Sequence, residues 1–268
     1  MARTPAEQWA VNLTEGGYDN HCRDAADLRR IARLGWAWRR ILDATGLAAP
    51  ATAFEIGCGG GGQVASLAVN GFTVRGIDIS PDVLDRARRY LGEIGAVSGR
   101  PLDVELVQGD FLDMPAAHRF DLVYHFGVVE HYLQPADRAA FWAKAAALTA
   151  PGGWVASVVP CGRHVMRRMV RDRELCGYQH RLAEIDYSTA SHAAEFAGAG
   201  LIDIRVLPHG YFFFLSGHPD RRVRRFAFPP LFALGNAVLP WAPLPASLKE
   251  RFAHTLIAVG RRPGNAPD

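Results

Sequence analysis

The sequence has no unbroken apolar run of about twenty residues, the length a helix needs to cross a bilayer. Its most apolar late stretch is interrupted by prolines at 229, 230, 240, 243 and 245, which exclude a continuous transmembrane helix. Cysteine is scarce. Cys22, Cys58, Cys161 and Cys176 are widely spaced, without the close pairs that clamp zinc or build a disulfide scaffold, and they fit a reducing, cytoplasmic setting. The first residues lack a basic stretch followed by an apolar run and a cleavage site, so no secretory signal is expected. A dominant charge is missing too: 30 Lys and Arg face 27 Asp and Glu, and a formal net charge of +3 is too small to argue for a nucleic-acid partner. There is no internal repeat. What is present is a chain of 268 residues, 49% hydrophobic and 21% charged, which can bury one large core with a small cap and suits a small-molecule partner.

Apolar residues recur at three- and four-residue intervals from 22 to 45, through Leu28, Ile31, Leu34, Trp38, Ile41 and Leu42, which predicts helix. Gly35 is expected to bend or divide it and Gly46 to end it. After Pro50 the period changes. The short apolar runs 52–56, 72–77, 104–107, 122–124 and 154–159 read as buried parallel strands. Helical segments at 63–69, 81–94 and 136–148 lie between them, with Ser80 and Pro81 as cap and first-turn residue of the second. A helix at 189–199, a strand at 201–206 and a last strand at 255–259 follow. Such alternation predicts an α/β sheet with helices on both faces. The expected division is an arm and helical cap (1–50), a core (51–210), an aromatic and proline-rich insertion (211–250), and a last strand with tail (251–268).

The strongest local signal is Ala53-Phe54-Glu55-Ile56-Gly57-Cys58-Gly59-Gly60-Gly61-Gly62, a strand running into glycines and then a helix. A strand-to-helix turn without side chains lets backbone approach a ligand closely. Twenty-one positions after Gly57 comes Asp78, at the end of the second strand, where a carboxylate can accept two hydrogen bonds from a ribose diol. Gly57, Gly59 and Gly62 also satisfy the dinucleotide spacing, so glycines alone leave NAD(P) open. Glu55 argues against it, because a carboxylate is unfavourable beside a pyrophosphate and favourable beside a cationic amino acid. Gln108-Gly109-Asp110-Phe111 ends the third strand at the same edge, offering Asp110 to an adenine amino group and Phe111 to its ring.

With these pieces in order, the chain from about Phe54 to Val259 resembles the class I S-adenosylmethionine-dependent methyltransferases. The matching segments are the Glu55 to Gly61 loop, Asp78, Gly109-Asp110-Phe111, Phe120-Asp121-Leu122-Val123 followed by Val129-Glu130-His131, and Leu148-Thr149-Ala150-Pro151-Gly152-Gly153. The resemblance implies a Rossmann-like, seven-stranded, mostly parallel sheet whose last strand is antiparallel beside the sixth, with S-adenosylmethionine as cofactor. It implies that Gly57, Cys58 and Gly59 line the methionine moiety, that Asp78 holds the ribose, that Ile79 packs on adenine and that Asp110 bonds its amino group. His125 and Phe126 would sit near the methionine amino group and the sulfonium, although the family commonly carries smaller or less polar groups than His125 there. Tyr18 would close over the cofactor as an aromatic lid.

No catalytic base is identified. His131 reads as a helix-end histidine and is assigned no chemistry, and His164, His180, His192, His209 and His218 are scattered. His125, His131, His209 and His218 do not have a recognised ligand spacing, so no metal is expected. The expected reaction is in-line displacement at the sulfonium methyl, which needs orientation more than acid–base chemistry. Acceptor specificity is expected from the N-terminal helices, residues 163–187 and the insertion, whose aromatics (among them Trp9, Trp36, Tyr178, Phe212 and Trp241) suit an apolar or aromatic acceptor of specialised or quinone metabolism. Three alternatives stay open: attack on the aminocarboxypropyl carbon, including cyclisation, with release of methylthioadenosine; a nicotinamide-dependent oxidoreductase; and a non-catalytic module that binds the cofactor without turnover. Arginines 221, 222, 224 and 225 beside aromatics read as a solvated face or a membrane-surface contact through 211–248. Oligomeric state does not follow from the sequence.

Overall fold

A computed structural model describes residues 18–115, 118–164, 184–217 and 220–264. The expectations attached to Trp9, Cys176, Tyr178, His180 and His218 lie outside the described residues. The helical pattern of the N-terminal region is two helices, α1 (Ala25–Ala32) and α2 (Trp36–Thr45). Asp24 caps the first by accepting from the backbone N–H groups of Ala26 and Asp27, which satisfies donors that a helix start leaves open. Gly35 is the N-cap of the second, and Gly46, at φ 71°, ends it.

The α/β alternation follows as β1 (Thr52–Ile56), α3 (Gly62–Val69), β2 (Thr73–Asp78), α4 (Pro81–Ser98), β3 (Val104–Gln108), β4 (Phe120–Phe126), a 3-10 turn (Val129–His131), α5 (Pro135–Leu148), β5 (Thr149–Pro160), α6 (Thr189–Gly198) and β6 (Ile202–Tyr211). After a connecting segment that contains α7 (Phe228–Val238) and α8 (Ala246–Glu250), β7 (Ala253–Arg261) closes the fold. The sheet order is β3-β2-β1-β4-β5-β7-β6. The pairs β3–β2, β2–β1, β1–β4 and β4–β5 are parallel, while β7 runs antiparallel between β5 and β6. The last strand therefore lies beside the sixth, as expected, and also beside the fifth. The connections leave β1 towards β2 on one side and reach β4 on the other, so the switch point lies between β1 and β4. In such sheets the crevice outside the strand ends at that point is where a ligand binds.

The core has a layer on each sheet face. One is built on Phe54, Ile56, Val123, Phe141, Trp142, Val155 and Phe196, the other on Trp38, Ile41, Ala53, Leu67, Leu122, Tyr124 and Val259. Burying a side chain such as Phe54 or Phe141 completely contributes about 1.5–3 kcal/mol. A polar cluster fixes α6 against α5: Glu195 accepts from Arg138 Nε at 2.7 Å, Trp142 Nε1 at 2.8 Å and the Tyr187 hydroxyl at 2.5 Å. This satisfied cluster holds α5, which packs on β4 and β5, to α6, which packs on β6 and β7.

Candidate active site

A cavity of about 700 Å³ opens at the carboxyl ends of β1, β2, β3 and β4, within the roughly 300–1,000 Å³ usual for small-ligand sites. Its lining joins residues far apart in sequence: Glu55, Gly57, Cys58, Gly59, Asp78, Ile79, Asp110, Phe111 and Phe126, with Tyr18 from the N-terminal strap. Ten of the eleven residues expected from sequence to hold a cofactor thus meet at one site.

Backbone geometry explains the glycines. Gly57 has φ 66°, and a β-carbon there would stand 2.7 Å from Val128 Cγ2. At Gly59 (φ 51°) a β-carbon would lie 2.9 Å from Tyr18 Cε1, and at Gly60 it would lie 2.7 Å from the Tyr18 carbonyl oxygen. The strap is laid directly on the loop and leaves no room for side chains. It is tied down by Asn20, whose Nδ2 donates to the Gly60 carbonyl at 3.1 Å, and by Glu93 of α4, which accepts from the Cys22 N–H at 2.9 Å.

Glu55 is 2% exposed and accepts a hydrogen bond from the Tyr124 hydroxyl at 3.1 Å. Burial holds its carboxyl well above the usual carboxylate range, and Asp78 nearby adds to the effect. A buried acid of this kind is stabilised as the anion by an incoming cation. Asp78 is positioned by the loop itself, accepting from the Gly59 N–H at 2.9 Å and from the Ser80 N–H at 3.0 Å. Burial raises its carboxyl too. Each of its oxygens keeps lone-pair capacity for a hydroxyl. Cys58 is buried, and burial pushes its thiol well up, so it serves as wall and not as nucleophile. Phe111 is also buried, its ring packed 5.1 Å from that of Phe141, while Ile79 is half-buried and Asp110 exposed.

His125 is the exception and requires a correction. The pleat of β4 alternates, so Tyr124 and Phe126 turn to the α2 face, where both lie near Trp38, while His125 turns to the α5 face between Phe141 and Trp142. It is 1% exposed, its Nε2 is 2.8 Å from Ser157 Oγ, and burial holds it well below the ordinary histidine range. It supports the core behind the site and does not line the cavity.

The cavity also gathers residues the sequence reading did not single out. Asn20 and Gln63 stand beside the loop, Gln63 held by the Trp38 indole N–H at 2.7 Å. Val128, Tyr132, Leu133, Gln134 and Asp137 extend the wall past β4, together with His131, which had been assigned no chemistry. The signal available for them was their place directly after a strand that ends at the switch point. His209 is buried on β6 and His192 on α6, and neither lines the cavity. Among the described residues, no group of three or more His, Cys, Asp or Glu side chains is placed to hold a metal.

The residues present fit S-adenosylmethionine: a buried carboxylate for the amino-acid end, a backbone-held aspartate for the ribose, and apolar Ile79 and Phe126 beside them. Fold and site together define a Rossmann-like binder of that cofactor. Comparison with known proteins agrees. A methyltransferase-domain family model matches residues 53–153. The ubiquinone biosynthesis O-methyltransferase of Burkholderia cenocepacia is 30% identical over 210 residues, covering 70% of this chain and 80% of its own length. The protein of the same name from Thiobacillus denitrificans is 34% identical over 151 residues, and this chain spans 61% of its length. Among solved structures, a SAM-dependent methyltransferase from Archaeoglobus fulgidus superposes with a TM-score of 0.54 at 14% identity, covering 83% of this chain and 90% of that one. Phosphoethanolamine N-methyltransferase 2 of Haemonchus contortus, solved with S-adenosyl-L-methionine, also gives 0.54, at 15% identity, over 85% of this chain and 52% of that one. The chain belongs to the class I S-adenosylmethionine-dependent methyltransferase family. It is an S-adenosylmethionine-dependent methyltransferase, and the oxidoreductase reading is set aside.

Proposed function

We propose that this protein is a cytoplasmic O-methyltransferase whose acceptor is a small aromatic hydroxyl compound, and that His131 receives the acceptor's proton. The observation that carries the reading is the extension of the cavity beyond the cofactor residues, along Val128, His131, Tyr132 and Leu133. That stretch is apolar and aromatic with one imidazole in it, and Gln134 and Asp137 continue it with polar groups, a lining suited to an aromatic ring bearing a hydroxyl. The names of the curated relatives support oxygen as the atom methylated.

Bound in the cavity, S-adenosylmethionine supplies an already activated methyl group on its sulfonium. The chain's own contribution is alignment. Glu55 holds the cationic amino-acid end and Asp78 the ribose, while Phe126 and the Tyr18 strap exclude water from the reacting centre. An aromatic hydroxyl must lose its proton as the oxygen attacks, and His131 is the imidazole the cavity offers for that task.

The test incubates the protein with methyl-labelled S-adenosylmethionine and a panel of catechols, phenols and primary amines. Label on oxygen of the aromatic hydroxyls supports the reading, and label on amines alone contradicts it. His131→Ala should lower kcat by about 10²–10⁴-fold while cofactor affinity is unchanged; an unchanged kcat removes His131 from the reaction. Methylthioadenosine in place of S-adenosylhomocysteine would instead mean attack on the aminocarboxypropyl carbon, for which the relatives give no support.

A further inference from the structure

The segment joining β6 to β7 has a surface the reaction does not use. Among the described residues, nine of the twelve exposed large apolar side chains lie between 213 and 252, a concentration that scattered surface hydrophobics do not produce. Its centre is α7, which contains no charged residue. The inner side of that helix is fixed: Asn236 Oδ1 accepts from the Gly210 N–H at 2.9 Å and the Tyr211 N–H at 3.3 Å, and a β-carbon at Gly235 would stand 2.8 Å from the Phe212 ring. This docking leaves Leu231, Leu234 and Val238, at helical spacing, 40%, 61% and 51% exposed. Phe226 before the helix is 68% exposed and Trp241 after it 79%. The helix thus shows solvent an apolar stripe, the reverse of an ordinary surface helix.

The charge around this stripe is one-sided. Arg221, Arg222, Arg224 and Arg225 are exposed just before α7, and no Asp or Glu occurs from 221 to 249. The segment 220–252 carries six basic residues against two acidic ones, more positive charge than the formal +3 of the whole chain. An apolar stripe ending in an exposed tryptophan and flanked by arginines is complementary to one kind of surface, where acyl chains lie beneath anionic headgroups. No helix among the described residues is long and apolar enough to cross a membrane, so the contact is a lateral one.

We propose that α7, Trp241 and the four arginines dock this methyltransferase on an anionic lipid surface. The segment leaves β6 and re-enters β7 at the same edge of the sheet at which β1 and β4 open the cavity. Docking therefore sets the substrate edge of the fold, not its far side, against the lipid. An acceptor dissolved in the bilayer then reaches the site without crossing water.

The test is co-sedimentation of the full chain, without any acceptor, with vesicles of phosphatidylcholine alone or of an equal mixture of phosphatidylcholine and phosphatidylglycerol. Leaving out acceptor keeps the result independent of the oxygen-methylation reading. The expected result is binding to the mixed vesicles only, weakening as salt is raised. Replacing the four arginines by glutamine should lower the partition coefficient at least about tenfold, and Leu234→Asp should lower it comparably. Trp241→Phe should abolish fluorescence quenching by bromine-labelled lipid. Retained S-adenosylhomocysteine binding shows that each variant folds, and Trp241→Ala replaces any that does not. Failure to sediment with anionic vesicles overturns the proposal, as does binding unchanged in the arginine and Leu234→Asp variants. Light scattering that shows a dimer broken by Leu234→Asp, with vesicle binding unaffected, assigns the face to a second copy of the chain instead.

Discussion

Gly57→Ala probes the join between fold and site most sharply. Two costs can be worked out separately. The left-handed φ of 66° costs a β-carbon-bearing residue about 1–2 kcal/mol. The new methyl would also stand 2.7 Å from Val128 Cγ2, while its next contact in that side chain is at 3.7 Å, so one methyl group causes the whole clash. Valine is stiff about χ1 and cannot swing this methyl away freely, and overpacking of this size costs about 1–3 kcal/mol. Together they come to roughly 3 kcal/mol, a fall in melting temperature of about 6–12 °C for a chain of this size. S-adenosylmethionine affinity should fall as well, because relief of the clash displaces the loop from the cofactor. In the Gly57→Ala/Val128→Ala double variant the clash is gone, and the φ cost and the loss of the Val128 methyls remain. Its loss should therefore be smaller than the sum of the single losses by the clash term, about 1–3 kcal/mol. Thermal unfolding and titration calorimetry on the four proteins measure this. Strict additivity would refute the reasoning, because it would mean that the glycine is not required by Val128.

Three further outcomes follow from the geometry. Because burial raises the Glu55 carboxyl, the stability it contributes is complete below its unfolded value and is lost as pH rises through the folded one. Cofactor-free Glu55→Gln should accordingly melt above the parent at pH 8, with the gap closing in acid, while binding S-adenosylmethionine about 10–100-fold more weakly; equal affinity would show that the carboxylate does not meet the cofactor's cation. His192 is caged by Trp142, Tyr187 and Phe196, has no hydrogen-bond partner for either ring nitrogen, and is pushed down by burial to about 3. Its contribution to stability is present above about pH 6.5 and drains as pH falls towards 3, so His192→Phe should raise the melting temperature more at pH 5 than at pH 8, and a pH-independent difference would count against this. Tyr18→Ala removes the ring over Gly59 and should speed cofactor release in stopped-flow measurements with little change in the melting temperature; an unchanged release rate would deny the strap its covering role.

What could be read from the sequence depended on how local its cause was. The first strand, 52–56, was legible to the residue because its run, apolar apart from Thr52 and Glu55, is bounded by Pro50 and stopped by Gly57. Strand β4 extends to Phe120–Phe126 where only 122–124 was expected, since Asp121 and His125 interrupt the run although the sheet pairs both ends. Strand β5 begins at Thr149, hidden behind Pro151-Gly152-Gly153. The residues proposed to hold the cofactor were legible because, Tyr18 of the strap apart, they lie at or just after strand ends in a recognisable spacing. His125 failed for a physical reason: a motif gives position along a strand, and the side on which a side chain falls is decided by the pleat against Trp38 and Trp142. Tyr132 to Asp137 were illegible because they come to the cavity only through the 3-10 turn after β4. The insertion was legible as a candidate surface contact, but which side of α7 turns outward was not, since its orientation is set by the Asn236 contacts with β6.

The central claim, that this cavity binds S-adenosylmethionine and delivers its methyl group, is tested most directly by mass spectrometry of the purified protein with methyl-labelled cofactor and an aromatic hydroxyl acceptor, beside an Asp78→Ala variant. The account predicts S-adenosylhomocysteine and a labelled methyl ether in equal amounts from the parent, and from the variant neither product at cofactor concentrations that saturate the parent. Methylthioadenosine as the product, or equal turnover by the Asp78→Ala variant, would contradict it.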